Sequence, residues 1–532
     1  MSITRRGFIK GAAITSAASV LNSASVHADS TTTIPINRPS NPKNILIITA
    51  DQMAKRAVAG YGNDFVKTPA IDSLIRRGTK FENTYCAFPL CAPSRASFWT
   101  GKLPHQTGVI ANSSPNIPIS METLGKVFSQ AGYECTHFGK QHDYGSLEGF
   151  KCIKQVQSEL EATDAFPVNY DSREDVYCLE QSVQYLESYR GEKPFLMAVE
   201  FNNPHNICGW VGKFEGAHGE IEGIGDLPDT LDNFEINDLA TRSQSVQYAC
   251  CTHNRTRQST QWNELNFRQY LKAYHHYVQL ADNCIEKVLS TLKKKGIEDE
   301  TLVVFFSDHG DSMGAHRLVT KMNWFYDETT NVPFVFSASD LPRQHSLNQL
   351  TSLCDLMPTL CDYVGIETPE HLYGKSLLPL IRGEKVNNWR KEVVSEWHTN
   401  RSTTIQPARM MRTEKYKYIV YRENEDEELY DLESDSGEMN NLSRNIHYSD
   451  ILETMRQQFK RYVAEQVDPF FTQEALIDHR WRQHKIGYQH HKGDSSIDLY
   501  LRNIRPLENS GDVKAVEKAK KMVLDRARKQ CK

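Results

Sequence analysis

Short apolar segments that end in polar residues and alternate with helix-forming segments constrain the fold of this chain most strongly. Asn44–Asp51 reads NILIITAD, and Thr301–Asp311 reads TLVVFFSDHGD. GYECTHFGK, KPFLMAVEFNNPH and VPFVFSA follow the same pattern. Helices are predicted between them over 68–78, where Thr, Pro and Gly provide start and stop signals, and over 266–294. This alternation predicts a parallel α/β sheet with helices on both faces.

Four polar side chains stand at or just beyond the ends of these predicted strands. They are far apart along the chain, at positions Asp51, Lys140, His205 and Asp308. In open α/β sheets, ligands bind outside the carboxyl ends of the strands. We therefore expect the four residues to converge on one site, although each alone could be an ordinary polar residue that ends a strand.

The N-terminal segment predicts export. Thr4–Lys10 reads TRRGFIK, a mildly apolar Ala/Ser/Val stretch follows, and residues 26–28 read VHA, a small-residue cleavage site. This pattern resembles a twin-arginine signal peptide over 1–28 and predicts a periplasmic or secreted protein that passes through the twin-arginine translocase. No run of about 18 apolar residues is present, so no transmembrane segment is expected. The net charge of −5 argues against a nucleic-acid partner.

The chain of 532 residues is too long for one ordinary core. We assign a main domain to 29–398 and a smaller α+β subdomain to 399–470, where the sequence alternates like antiparallel strands before a helix near 450–465. Residues 471–532 form a charged C-terminal extension with a helix predicted over 513–528. A solvated surface helix is the simpler interpretation of that extension.

A cysteine motif adds a family resemblance. Cys91–Gly101 reads CAPSRASFWTG and matches the C-x-P-S-R-x-x-x-x-T-G signature of the type I sulfatases. Further segments are similar to elements of that family in the same order, namely NILIITADQM, GYECTHFGKQH, NNPHN, FSDHGDSMGAHRLVTK, DLMPTLCDYVGI and KYKYIVYRENEDEELYDLESDSGEMNNL. The resemblance covers roughly residues 43 to 442. It implies an alkaline phosphatase-like fold, with a mixed, mostly parallel central sheet and a smaller C-terminal α+β domain.

The resemblance implies that a maturation enzyme oxidises Cys91 to formylglycine. One hydroxyl of the hydrated aldehyde attacks the sulfate sulfur and expels the alcohol, and the other is deprotonated so that sulfate leaves without water attacking sulfur. A helix that begins near Pro93 directs its positive end at the anion. Arg95 is implied to hold the aldehyde hydrate and its neighbours. Cys86 lacks the motif and serves as an internal control.

The implied metal ligands are Asp51, Gln52, Asp308 and His309, together with the modified Cys91. Oxygen-rich ligation favours Ca²⁺, while the histidine leaves Mg²⁺ or Mn²⁺ open. Family members commonly have Asp at the position of Gln52 and Asn at that of His309. This departure also resembles phosphonate monoester and phosphodiester hydrolases of the same superfamily.

The remaining site residues are assigned by resemblance. Lys140 and Lys321 are similar to the lysines that hold the sulfate oxygens. His142 is similar to the histidine beside the formylglycine hydroxyl, and His205 to the histidine that protonates the leaving alcohol. His316 lies between the SDHGD block and Lys321, and we assign it only as a candidate substrate contact.

These residues predict an exported sulfatase that hydrolyses sulfate esters of a sulfated polysaccharide or its oligosaccharides. Specificity is expected from the C-terminal subdomain and from the polar insertion over 209–262. One alternative is a phosphonate monoester or phosphodiester hydrolase on the same scaffold. The other is a catalytically inactive relative that binds glycans.

Overall fold

The structure is a computed structural model that describes residues 43–112, 114–153, 173–213, 226–234, 243, 246, 259, 262–398, 407–422 and 426–472. The predicted signal peptide, the C-terminal extension from residue 473 onward and most of the 209–262 insertion lie outside the described residues. No helix within the described ranges is both long and apolar enough to cross a membrane.

Within the described residues the strands, labelled β1 to β12 in chain order, are Asn44–Ala50, Thr79–Tyr85, Glu134–Gly139, Lys151–Cys152, Phe195–Phe201, Thr301–Phe306, Phe334–Ser337, His345–Ser352, Glu392–Trp397, Ala408–Thr413, Tyr416–Tyr421 and Asp426–Asp431. The α-helices, labelled α1 to α11, are Pro69–Arg77, Cys91–Thr100, Pro104–Thr107, Leu124–Gln130, Arg173–Ser188, Ile207–Lys213, Glu264–Lys295, Asp327–Thr330, Leu356–Val364, Leu378–Ile381 and Ser449–Glu465. Short 3-10 helices cover Lys55–Ala57, Ala59–Tyr61, Glu298–Glu300, Ala315–Arg317, Leu353–Asp355, Ile446–Tyr448 and Pro469–Phe471.

Eight strands form the main sheet, in the order β4-β3-β5-β1-β6-β7-β2-β8. Neighbouring strands are parallel except at β7, which pairs antiparallel with both β6 and β2. The predicted mixed, mostly parallel sheet is therefore confirmed. Because β7 runs opposite to β6, the segment 307–333 leaves and re-enters the sheet at the same edge, which is the edge that carries the candidate site.

Helices cover both faces of the main sheet. On one face, Leu46 and Ile48 of β1 belong to a buried cluster with Tyr274 and Val278 of the long helix α7. On the other face, Ile45 and Ile47 belong to a cluster that includes Phe98, Trp99, Leu356 and Leu360 from α2 and α9. The alternation of β1 side chains between two apolar layers is what a strand buried on both faces requires. It explains the continuous apolar run in its sequence.

A second sheet follows, with the antiparallel order β12-β11-β10-β9. Helix α11 packs on it, with the Phe459 ring 6.1 Å from the Tyr418 ring. This arrangement is the predicted smaller α+β region. The first strand of this sheet, β9 (Glu392–Trp397), lies before the boundary predicted at residue 399. It belongs to the second sheet because it pairs with β10 along its whole length.

Candidate active site

Cys91 is the first residue of helix α2 and follows Leu90, which has extended backbone angles. All ten residues of α2 are buried, and Cys91 itself is 1% exposed. The helix ends at Gly101, whose φ of 67° places it in the left-handed region that favours glycine. Ser94 in the first turn donates its Oγ hydrogen to the carbonyl of Asp308 at 2.5 Å. The start of α2 is thereby tied to the segment that follows β6.

Side chains from the ends of several strands surround Cys91. Its Sγ lies 3.8 Å from Asp51 Oδ1, just after β1, and 3.2 Å from His309 Nε2, after β6. Lys140, at the end of β3, places Nζ 4.0 Å from the same sulfur and forms an ion pair with Asp51. Polar residues that follow different strands thus meet at one point on the sheet edge.

Two further histidines reach the same sulfur. His142 and His205 both lie close enough to Cys91 to interact with its side chain. His142 follows β3, and His205 follows β5. The structure therefore places both of these predicted catalytic histidines beside the predicted nucleophile.

Arg95 lies one helical turn after Cys91 and is 1% exposed. Its Nη2 is 3.0 Å from Asp51 Oδ2 and 3.0 Å from Asp308 Oδ2. Burial disfavours the charged guanidinium, but Asp308 and Asp51 oppose that effect and raise the pKa of Arg95. The residue is a fixed cation at the centre of the site.

The two cysteines of this region differ in chemical state. Burial tends to raise the pKa of Cys91, but Lys140, Lys321 and His309 lower it well below the usual range. Burial raises the pKa of Cys86, and Asp308 raises it further. Cys91 therefore lies in a cationic environment that favours an anion, whereas Cys86 remains a buried thiol.

The histidines at the site also differ. Burial, with Lys140 and Lys321, lowers the pKa of His205 to about 3, so its imidazole is neutral. For His309, burial is outweighed by Asp308 and Cys91, which raise the pKa. A neutral His205 donates a hydrogen bond through one ring nitrogen and can accept one through the other.

Gln52 has a positive φ of 69°, and its side chain lies between two charged groups. Its Nε2 donates to Asp311 Oδ2 at 2.6 Å, and its Oε1 accepts a hydrogen bond from Lys321 Nζ. Cys208 Sγ lies 3.3 Å from the same Oε1 and 3.9 Å from Lys321 Nζ. The structure thus joins two residues predicted for different roles, the metal ligand Gln52 and the sulfate-binding Lys321.

The predicted substrate contact His316 has a different environment. Its ring stacks on Tyr326 with 3.9 Å between centroids, and its backbone N–H donates to the carbonyl of Asn233 at 2.9 Å. It has a φ of 54°, and its neighbour Arg317 a φ of 56°. These contacts connect the loop before Lys321 to two other segments, and the substrate-binding role remains a prediction.

Four of the predicted ligand residues can hold a cation. One donor atom each from Asp51, Cys91, Asp308 and His309 lies within 4.8 Å of the other three, and all four residues are buried. Apart from its ion pair with Arg95, Asp308 Oδ2 accepts no hydrogen bond from any described residue. A buried carboxylate oxygen without a hydrogen bond, beside a second carboxylate, fits a divalent cation such as Ca²⁺, Mg²⁺ or Mn²⁺.

Several residues that support the site were not predicted from the sequence. Asp311 holds Gln52, and Tyr270 from α7 donates its hydroxyl hydrogen to Asp311 Oδ1. Glu200 forms an ion pair with Arg95. Glu200 had a local signal, because it is a charged residue inside an apolar strand. Tyr270 had none, since it lies on a long amphipathic helix among other aromatic residues.

Two family models match the chain. The family model described as "Sulfatase" matches residues 43–366. The model described as "N-sulphoglucosamine sulphohydrolase, C-terminal" matches residues 314–465. Together the two matches include both sheets and every predicted site residue.

A "Delta 4,5-hexuronate-2-O-sulfatase" of Bacteroides thetaiotaomicron is 42% identical over 468 residues, which cover 86% of this chain and 96% of that relative. The solved structure of a 2-O GAG sulfatase is 41% identical, with a TM-score of 0.76 over 81% of this chain and 94% of that one. A phosphonate monoester hydrolase of Agrobacterium radiobacter is 20% identical, with a TM-score of 0.66 over 80% and 97%, and shows the fold alone. The chain therefore belongs to the sulfatase family of the alkaline phosphatase-like superfamily and is a sulfuric ester hydrolase.

Proposed function

We propose that this protein is an exported sulfatase that removes a 2-O-sulfate group from a uronic acid of glycosaminoglycan-derived oligosaccharides. The reaction is supported by one observation above all, the position of Cys91 at the start of a buried helix among Arg95, Lys140 and Lys321. The substrate is supported by the relative named for hexuronate 2-O-sulfate, which is similar over 96% of its length, and by the 2-O GAG sulfatase structure.

The proposed nucleophile is formylglycine, formed from Cys91 by a maturation enzyme. As a hydrated aldehyde it supplies a hydroxyl that can attack sulfur and a second hydroxyl that lets sulfate leave. His142 and His205 both interact with the Cys91 side chain. We assign His142 the proton of the second hydroxyl. We assign His205 the proton for the leaving sugar oxygen: its neutral imidazole takes up a proton when the anionic sulfate ester binds beside it, and the imidazolium gives that proton to the oxygen as the S–O bond breaks.

The proposed cation is Ca²⁺, with Mg²⁺ or Mn²⁺ as alternatives. Asp51, Asp308, His309 and the modified residue 91 would hold it, whereas Oε1 of the remaining predicted ligand, Gln52, accepts a hydrogen bond from Lys321. When bound, the cation supplies a fixed positive charge beside the reacting sulfate group. Lys140 and Lys321 would bind the oxygens of that group. Fixed cations at this position favour the transition state, where negative charge moves onto the bridging oxygen.

Export by the twin-arginine route and a periplasmic or secreted location are also part of the proposal. They are supported by the paired arginines Arg5 and Arg6 and by the small-residue segment at 26–28. A substrate too large to enter the cytoplasm is consistent with this location.

The experiment uses protein produced with a maturation enzyme. Mass spectrometry of the tryptic peptide Phe81–Arg95 is expected to show that Cys91 has exchanged sulfur for oxygen while Cys86 has not. The matured protein is then assayed against three separate substrates. They are a disaccharide with a 2-O-sulfated uronate, a 6-O-sulfated glucosamine, and an aryl phosphodiester. We expect turnover of the disaccharide with the 2-O-sulfated uronate. C91A should lose this activity, and C86A should keep it.

Other outcomes separate the alternatives. Faster turnover of the phosphodiester than of any sulfate ester would favour the phosphodiester hydrolase. Binding of the disaccharide without turnover by fully modified protein would favour the inactive glycan-binding relative. Preference for the 6-O-sulfate would contradict the proposed substrate but leave the sulfatase reaction intact.

A further inference from the structure

Glu200 is an ionisable residue inside the apolar strand β5 and is 1% exposed. Its chain neighbours Val199 and Phe201 are fully buried. It pairs in register with Thr49 of the adjacent strand β1. A carboxylate at such a position costs free energy unless nearby groups compensate its charge, so its partners indicate its role.

Within the described part of the chain, three side chains contact the Glu200 carboxylate. Arg95 Nη1 forms an ion pair with Oε2, Thr49 Oγ1 donates to Oε2 at 3.3 Å, and His137 Nε2 lies 3.0 Å from Oε1. Burial, with Arg95, lowers the pKa of His137 to about 3, so its ring is neutral and Nε2–H donates to Oε1. Among the described residues, Arg95 is therefore the cation that directly compensates Glu200.

Arg95 uses its other terminal nitrogen for the site. Nη2 lies 3.0 Å from a carboxylate oxygen of Asp51 and 3.0 Å from one of Asp308. Both are predicted metal ligands. The planar guanidinium is thus held between Glu200 on one side and the two ligand carboxylates on the other. This arrangement uses the rigid geometry of arginine in a way that lysine could not reproduce.

We propose that Glu200 is a positioning residue that holds Arg95 so that Asp51 and Asp308 remain available to a divalent cation. This inference rests on the cation site of the proposed function. Without the Glu200 carboxylate, Asp51 and Asp308 are the ion-pair partners that remain for Arg95. The guanidinium then competes with the cation for the same oxygens. With Glu200 present, part of the guanidinium charge is compensated from inside the sheet.

The test compares E200Q with the wild type in full-length, matured protein. Isothermal calorimetry with Ca²⁺ is expected to show affinity lowered by about 10-fold or more in E200Q, as for other residues that orient metal ligands. We also expect kcat to fall more than KM rises. D282N is the matched control, because Asp282 is a buried carboxylate that accepts hydrogen bonds from the backbone of Ala70 and Ile71. It should lower the melting temperature without changing Ca²⁺ affinity.

A double-variant cycle shows whether Glu200 acts through Arg95. R95M leaves Glu200 without its cation, so R95M/E200Q is expected to melt at a higher temperature than R95M. The two variants should bind Ca²⁺ with equal affinity. If E200Q does not fold, E200D replaces it, and the shorter side chain should weaken Ca²⁺ binding in the wild-type background only.

Three results would overturn the inference: unchanged Ca²⁺ affinity in E200Q, a further loss of affinity when E200Q is added to R95M, or no Ca²⁺ binding by the wild type. Failure of the proposed function looks different. If no sulfate ester is turned over but E200Q still lowers Ca²⁺ affinity through Arg95, the substrate proposal is wrong and the role of Glu200 stands.

Discussion

Gln52 donates its Nε2 hydrogen to Asp311 Oδ2 at 2.6 Å, while its Oε1 accepts a hydrogen bond from Lys321. The amide is therefore fixed in one orientation by an acid on one side and a base on the other. A carboxylate at position 52 could satisfy Lys321 but would face Asp311 with no hydrogen to donate. This geometry gives a physical reason for an amide where sulfatases commonly have an aspartate.

We therefore expect Q52E to lose stability, by about 2 kcal/mol, because it places two buried carboxylates in contact. Its activity should fall at least about tenfold, since Lys321 is drawn away from the sulfate group. Adding D311N should recover more than half of the stability, because Asn can donate to the new carboxylate. Thermal unfolding and kcat/KM of the two variants test this. Equal melting temperatures of Q52E and Q52E/D311N would contradict it.

His205 is predicted to protonate the leaving oxygen, which matters only when the leaving group is a poor one. H205A should lose about 100-fold or more in kcat on a sugar sulfate and less than about tenfold on a nitrophenyl sulfate. Steady-state kinetics on the two substrates measure the difference. H371A is the control, because the His371 side chain is 88% exposed. Equal losses on both substrates in H205A would argue against the acid role.

A buried ionic contact joins helix α3 to the second sheet. His105 Nδ1 lies 2.6 Å from Glu396 Oε1. Burial disfavours the charged imidazole, but Glu396 outweighs it and raises the pKa of His105 above 6.5. The resulting stabilisation is fully present below about pH 6.5 and is lost as the pH rises through the raised folded-state pKa.

We expect the melting temperature of the wild type to fall between about pH 6 and about pH 9, and that of H105Q to fall less over the same range. Differential scanning calorimetry at several pH values measures both slopes. Parallel curves for the two proteins would show that His105 does not carry this pH dependence.

Lys417 is a fully buried lysine between two acids. Its Nζ lies 2.6 Å from Asp327 Oδ1 and 2.7 Å from Glu438 Oε1. K417M should lose about 3 kcal/mol of stability, because a buried acid is left without its cation. K415M changes an exposed lysine two residues earlier and should leave the stability unchanged. Denaturant unfolding of the two variants makes the comparison, and similar midpoints would contradict it.

The sequence predicted the central strands well because each carries its own signal. Asn44–Ala50 and Thr301–Phe306 are apolar along their whole length, and each is followed closely by a carboxylate, so strand and site edge could be located together. Strand β2 was not predicted, since TKFENTY alternates with polar residues and has no distinct boundary. The antiparallel direction of β7 was also not readable from its short apolar run, because direction depends on the path of the long segment before it.

The site residues also divide into those that a local sequence motif identifies and those whose contacts depend on the folded chain. Cys91 and Arg95 were found because they are neighbours in one motif. The contact between Gln52 and Asp311 spans 259 positions, and no local pattern indicates which oxygen an amide will face. Glu200 could have been singled out as a charge in an apolar strand, but its partner lies on a helix 105 residues earlier, and only the packed sheet brings the two together.

The burial of helix α2 has a consequence for how the protein is made. Cys91 is 1% exposed, and every residue of its helix is buried, so an enzyme cannot reach the sulfur in the native state. The proposed oxidation must therefore act on a chain in which this segment is still accessible. Maturation and folding then compete in time, and a chain that folds first retains its thiol. The active fraction of a preparation would then equal the fraction of chains that were oxidised before they folded.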